Sequence, residues 1–182
     1  GAGLYYLAHS TFMAAAMFLI VELVRQRRVT DRMNVARPML DRAIPGALFI
    51  IAAIAAIGLP PLSGFIGKFT LLAAVPEAWT GWVWSAILVS SFFVMVALAR
   101  AGSKLFWLQP APGDPLPATA AKARHGPRVE MAAIMLLLAY CVVMTIFAGP
   151  TLRYTQSAGT QLVDPANYIE AVREQAPILR EP

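Results

Sequence analysis

Charge is scarce in this chain. Of its 182 residues 14% are charged and 58% apolar, whereas an ordinary soluble domain carries about 25% charged residues. Cysteine is nearly absent, and Cys141 on its own cannot close an internal disulfide. Histidine is limited to His9 and His125, far apart in the sequence. With one cysteine and two scattered histidines there is no metal-ligand cluster, so no catalytic metal centre is expected. No nucleophile–base arrangement or phosphate-cradling loop is present, and no cofactor is expected. No basic region precedes the first apolar run, so no signal peptide is read. The chain starts at Gly1 rather than Met, and is expected to be a piece of a longer protein. The net charge of +5 points first to nucleic acid. The basic residues collect in two inter-helix loops, however, and membrane topology accounts for them better, so no nucleic-acid partner is expected.

What is abundant is apolar sequence. Runs of about 20 residues, enough to cross a hydrocarbon core about 30 Å thick, recur along the chain. They predict an all-α fold, a polytopic transmembrane helix bundle of about four spans, one of them discontinuous. The spans are expected over about 4–24, 44–75 (broken at 58–63), 82–106 and 129–148. Together with a Pro/Ala-rich linker over 108–128 they form a transmembrane bundle over 1–150. The polar tail, 151–182, contains "DPANYIEAVREQA". Asp164 is its expected N-cap, with Pro165 at the first helical position. Ile169, Val172 and Ala176 share one face, so a short amphipathic helix lying at the surface is expected.

Counting Lys and Arg sets the expected orientation. Arg25, Arg27, Arg28, Arg32, Arg37 and Arg42 lie in the first loop, and Arg100, Lys104, Lys122, Arg124 and Arg128 flank or occupy the linker. The tail has Arg153, Arg173 and Arg180, and the short connection near 76–81 has none. The positive-inside rule puts the two basic loops in the cytoplasm and the tail on the outer side. Trp79, Trp82 and Trp84 at one end and Trp107 at the other fit interfacial belts.

The stretch "GLPPLSGFIGKFTLL", residues 58–72, carries the chemistry. Pro60 and Pro61 lack N–H donors and clash with the preceding turn. In hydrocarbon the freed carbonyls must find partners, so such a break is tolerated only against protein or a water-filled cavity. The helix-break set is Gly58, Pro60, Pro61 and Gly64. Lys68 follows by about two helical turns, with Gly64 one turn back on its face and Gly67 adjacent. These small residues let a helix or water approach the ammonium. A lysine at this depth costs a few kcal/mol, and a group that can be charged or neutral is suited to relaying protons. The structural alternative is that Lys68 snorkels to an interface or pairs with a fixed carboxylate.

His9 lies inside the first span beside Ser10 and Thr11, and the ordinary histidine pKa near 6.5 suits proton exchange. The alternative is a neutral histidine bonded to a neighbouring carbonyl. Glu22 reads as an i,i+3 partner of Arg25 at the membrane edge or as a carboxylate at a channel mouth. Lys104 reads as a headgroup anchor or as the inner end of a hydrophilic channel. Glu130 suits the N-terminus of the fourth span, and His125 is expected to be solvated.

"YYLAHSTFMAAAMFLI", "GLPPLSGFIGKFTLL" and "ARAGSKLFW" closely resemble the C-terminal part of the proton-translocating antiporter subunits. These are the large antiporter-like subunits of respiratory complex I and their Mrp-type cation/proton antiporter relatives. "SKLFW" and "DPANYIEAV" look most like the D subunit of the Mrp (Pha, Mnh) type. The resemblance implies a fragment of a larger inverted-repeat antiporter fold, each repeat with a helix broken at mid-membrane. It implies that Lys68 matches the lysine or glutamate of the second broken helix, and His9 the histidine that bridges a central lysine to it. The function implied is that of one component of a multisubunit Na⁺ or K⁺/proton antiporter, a transporter component rather than an enzyme. Its implied partners are the other antiporter subunits, the bilayer, protons and Na⁺ or K⁺. One alternative is a proton-pumping membrane-arm component of a complex I-like NADH–quinone oxidoreductase or membrane hydrogenase, which would be a translocase. The other is a scaffold component that transports nothing.

Overall fold

The computed structural model describes residues 1–28, 42–107, 128–164 and 166–174. Among the described residues every regular element is helical. In chain order they are α1 (Ala2–Arg28), α2 (Ala43–Ile57), α3 (Ser63–Ala73), a 3₁₀ turn (Glu77–Trp79), α4 (Thr80–Gly102), a π-helical turn (Ser103–Trp107), α5 (Arg128–Ile146), α6 (Ala148–Val163) and α7 (Ala166–Glu174). Of the linker expected over 108–128, only Arg128 is described, and it opens α5. Lys122, Arg124 and His125 lie outside the described residues. So do Arg32, Arg37, Pro165, Ala176 and Arg180.

Among the described residues three stretches are long and apolar enough to cross a membrane: Ala2–Arg27, Glu77–Trp107 and Val129–Ile146, with mean hydropathies of 1.8, 2.1 and 2.3. The shorter apolar helices α2 and α3, 15 and 11 residues long, follow one another across a break. The protein is therefore a multi-pass membrane helix bundle.

Helix α1 is the centre of the bundle and packs against α2, α3, α5 and α6. Its fully buried Ala16, Ile20 and Leu23 meet Ala52 and Ala55 of α2 and Ile134 and Cys141 of α5 in one core. Alanines at these contacts let helix backbones approach closely, which drives packing where lipid is as apolar as the side chains. Helix α4 stands at the periphery. Within it only Gly102 is buried, and a Cβ there would meet the Phe49 ring at 3.0 Å. Phe49 in turn packs at a tilt against Phe106 of the π-helical turn, ring centroids 5.4 Å apart. The outward faces of α1 and α4 carry Phe18, Trp82 and Phe93 in the open, where hydrocarbon is the natural neighbour.

Between α2 and α3 the chain turns over residues 58–62. Gly58 adopts a left-handed conformation, φ 83° and ψ 43°, which costs glycine little and other residues much. The N–H groups of Gly58 and Leu59 both donate to the Ile54 carbonyl, 3.2 Å each, the double closure that ends many helices at glycine. The Pro60–Pro61 peptide is cis. Leu62 is extended, and α3 restarts at Ser63.

The polar tail read from sequence carries a helix in addition to the short amphipathic one expected. Gly149 and Pro150, just beyond the span expected over 129–148, lie in the first turn of a new helix, α6. Proline is tolerated there because first-turn N–H groups have no intrahelical acceptor to lose. Phe147, φ −98° and ψ 27°, makes the joint between α5 and α6. Helix α7 follows Asp164, whose carboxylate accepts from the Ala166 N–H at 3.2 Å, a local cap.

Candidate functional site

The end of α2 leaves carbonyls without intrahelical partners, and two of them define the site. The first is Ile57, whose carbonyl accepts from the Lys68 Nζ at 2.7 Å. Eleven residues separate the pair, and the turn at 58–62 lets the second-turn lysine of α3 reach the tip of α2. The same Nζ donates to the Ser91 Oγ of α4 at 2.9 Å. Lys68 is half-buried and thus ties three helices together. Beside it lies a cavity of about 170 Å³ lined by Tyr6, Ala56, Lys68, Leu71, Ile87, Ser90, Ser91 and Val94. That is ample room for water, and the lining offers hydroxyl partners for it.

The second carbonyl is that of Ala55, which faces the His9 ring across the packed surface of Gly64. His9 is 2% exposed and Ser63 is fully buried. His9 Nδ1 and Ser63 Oγ are 2.9 Å apart and hydrogen-bonded. The Ser63 hydroxyl also faces the buried Cys141 thiol of α5. One turn before His9, the buried Tyr5 hydroxyl donates to the Met144 carbonyl at 3.1 Å. The apolar bundle therefore encloses a line of polar groups from α5 through Ser63 and His9. Lys68 stands next to it on α3, five residues beyond Ser63.

Glycines make the closeness possible. A Cβ at Gly64 would collide with the Ala55 carbonyl oxygen and with His9 Nε2, and one at Gly67 would press on the rings of Tyr5 and Tyr6. These two positions, one turn apart, form the seat into which α1 settles. The small residues near Lys68 thus admit a helix on one side, while the cavity lies on the other.

The remaining candidates lie apart from this cluster. Glu22 is bound by Arg25 through both guanidinium arms, Nε at 2.7 Å and Nη2 at 2.6 Å. Gln26 Nε2 bridges Glu22 to Glu130 of α5, at 3.0 and 3.1 Å. Glu130 therefore contributes a helix–helix contact that its place near the start of α5 does not reveal. Lys104 is exposed on the π-helical turn. Nearby, Arg42 donates to the Phe106 carbonyl at 3.4 Å. Among the described residues no group of three or more His, Cys, Asp or Glu side chains comes together to hold a metal.

Ser63 and Ser91 do not stand out in the sequence. Ser63 has a signal, since it is the first helical residue after the Pro-Pro break. Ser91 has a weaker one, a Ser-Ser pair inside "ILVSSFFVMV".

Ionisable side chains at the break of a discontinuous helix, in a bundle of apolar spans, place the chain among polytopic membrane proteins with a broken helix. Similarity to known proteins points the same way. Residues 1–94 match the family described as NADH:quinone oxidoreductase/Mrp antiporter, TM, and the chain belongs to that family. It is similar to the D subunit of a probable K⁺/H⁺ antiporter of Rhizobium meliloti (strain 1021), 30% identical over 93% of this chain and 35% of that protein. It is likewise similar to the Na⁺/H⁺ antiporter D subunit of Bacillus subtilis (strain 168), 29% identical over 94% of this chain and 34% of the relative. A third relative is the NADH-quinone oxidoreductase N subunit of Trichlorobacter lovleyi, 34% identical over 47% of this chain and 18% of the relative. The chain spans about a third of the length of the two antiporter relatives.

Proposed function

We propose that this chain forms the proton-carrying end of an antiporter subunit that exchanges protons for Na⁺ or K⁺ as part of a multisubunit complex in a bacterial inner membrane. Lys68 and His9 are its proton carriers. The observation that carries this reading is the Lys68 amine held on the Ile57 carbonyl, 2.7 Å away, at the broken tip of α2 and beside a cavity with room for water.

A proton reaching Lys68 from cavity water makes an ammonium that the Ile57 and Ser91 oxygens hold. A charge there disfavours a charge on His9, and the reverse. The two sites therefore load by turns, and Ser63 keeps the His9 ring in place. No bond of a substrate is made or broken, so the chain works as a transporter component and not as an enzyme. The ends bearing the basic loops face the cytoplasm and the C-terminal tail faces outward. Gly58, Pro60, Pro61 and Gly64 maintain the break, and Glu22 serves as an edge anchor through Arg25.

In everted vesicles carrying the whole assembly, Lys68→Ala is expected to abolish Na⁺- or K⁺-driven dissipation of ΔpH while the complex still assembles. Wild-type proton flux in that variant overturns the assignment. The similarity to the N subunit of a quinone oxidoreductase favours one second reading, in which the same residues pump protons in a redox-driven complex. Copurifying iron–sulfur subunits, with proton uptake that follows NADH oxidation and ignores Na⁺ and K⁺, would establish that reading instead.

A further inference from the structure

We propose that the oxygens holding the Lys68 ammonium are also a binding site for an alkali-metal cation, so that proton and cation occupy one place by turns. This rests on Lys68 being a proton carrier and adds where the exchanged ion binds.

The ammonium is itself a monovalent cation, and its partners are uncharged oxygens: the Ile57 carbonyl at 2.7 Å and the Ser91 hydroxyl at 2.9 Å. Carbonyl and hydroxyl oxygens are the ligands that replace water around alkali-metal ions. The Ile57 carbonyl belongs to the last turn of α2, the negative end of its dipole. Carbonyls at the C-terminal ends of half-helices coordinate ions in other discontinuous-helix transporters. On the open side of Nζ the cavity of about 170 Å³ adds Tyr6 and Ser90 and leaves space for an ion with part of its water.

Charge makes the occupancy exclusive. Tyr6 of α1, the Ile57 carbonyl of α2 and Ser90 and Ser91 of α4 face Lys68, and His9 packs against Gly64, one turn before Lys68 on α3. Among the described residues lining the cavity there is no carboxylate, so nothing there offsets a second positive charge. In the exchange an N–H bond of the ammonium breaks, the proton passes to a cavity water, and the electron pair stays on nitrogen. The Ile57 and Ser91 oxygens are released from the N–H donors, the neutral amine adds its lone pair, and the cation enters. One positive charge leaves as one arrives, and the reverse step restores the ammonium.

The test is proton release on cation binding. NaCl or KCl is added to the solubilised whole assembly in weak buffer, with a pH-indicating dye and choline chloride as control. The wild type is expected to release protons saturably with Na⁺ or K⁺ and not with choline, and Lys68→Ala is expected to lose that release. Ser91→Ala is expected to need roughly tenfold more cation for half-release, the loss of about one ligand, with Ser91→Thr close to wild type. No cation-dependent release from the wild type, or release undiminished in Lys68→Ala, overturns the proposal. If Ser91→Ala does not assemble, the wild-type and Lys68→Ala titrations decide the matter alone. Loss of flux in Lys68→Ala with no proton release from the wild type would sink the shared site and leave Lys68 as a proton carrier.

Discussion

Replacing Gly64 by alanine adds one methyl group at the place where three elements converge. That methyl collides with the Ala55 carbonyl oxygen of α2 and with His9 Nε2 of α1. The carbonyl is backbone and cannot step aside alone, and His9 is pinned by its 2.9 Å bond to Ser63. Relief requires α1 or α2 to move away from α3. Overpacking of this kind costs about 1–3 kcal/mol. The neighbouring glycines calibrate the effect. At Gly67 the nearest obstacles are ring atoms of Tyr6 and Tyr5, at 3.1 and 3.3 Å, which need give by only a few tenths of an ångström, so Gly67→Ala is expected to cost less. At Gly81, in the first turn of α4, nothing lies within 4 Å, and Gly81→Ala is expected to be neutral or to stabilise by up to about 1 kcal/mol. The reporter is Cys141, the only cysteine of the chain and 2% exposed, whose thiol becomes reactive when the α1–α5 contact opens. With labelling followed by mass spectrometry in the detergent-solubilised assembly, a loss of about 1–3 kcal/mol raises the open population and the labelling rate roughly 5- to 150-fold. The expected order is Gly64→Ala fastest, then Gly67→Ala, with Gly81→Ala at or below wild type. Gly64→Ala labelling at the wild-type rate would refute the tight seat between α1 and α3.

Other expectations follow from the same geometry. Tyr5→Phe removes the bond to the Met144 carbonyl and is expected to destabilise by about 0.5–1.5 kcal/mol, seen as modestly faster Cys141 labelling with flux retained. Ser63→Ala leaves the buried His9 Nδ1 without its partner; proton flux in vesicles is expected to fall several-fold with assembly intact, and Ser63→Thr to restore most of it. Arg25→Ala breaks an exposed ion pair, a kind that contributes little; unchanged vesicle flux is expected, whereas a large loss would make Glu22 part of a channel mouth.

The discontinuous helix is legible in the sequence because its causes are local. Two prolines remove donors wherever they sit, and Gly58 marks the left-handed turn. Lys68 and His9 stand out because ionisable side chains are rare in apolar runs. What they touch is not legible. His9 meets Ser63 across 54 residues, Lys68 meets Ser91 across 23, and Gln26 meets Glu130 across 104. Such pairs depend on how helices cross, which periodicity does not encode. Helix α6 escapes the sequence reading for another reason. Gly-Pro reads as a terminator, and the same dipeptide also suits the first turn of a new helix.

Gly58 is hemmed in twice. Its φ of 83° disfavours any side chain of L configuration, and a Cβ there would stand 3.0 Å from the Lys68 Cδ and 3.2 Å from the Gly64 carbonyl oxygen. Backbone handedness and the berth of the lysine stem therefore make the same demand on a single codon. In a saturation library selected for salt tolerance, every replacement at 58 should disappear, including asparagine, which tolerates left-handed turns elsewhere, while the exposed Leu59 next to it admits many.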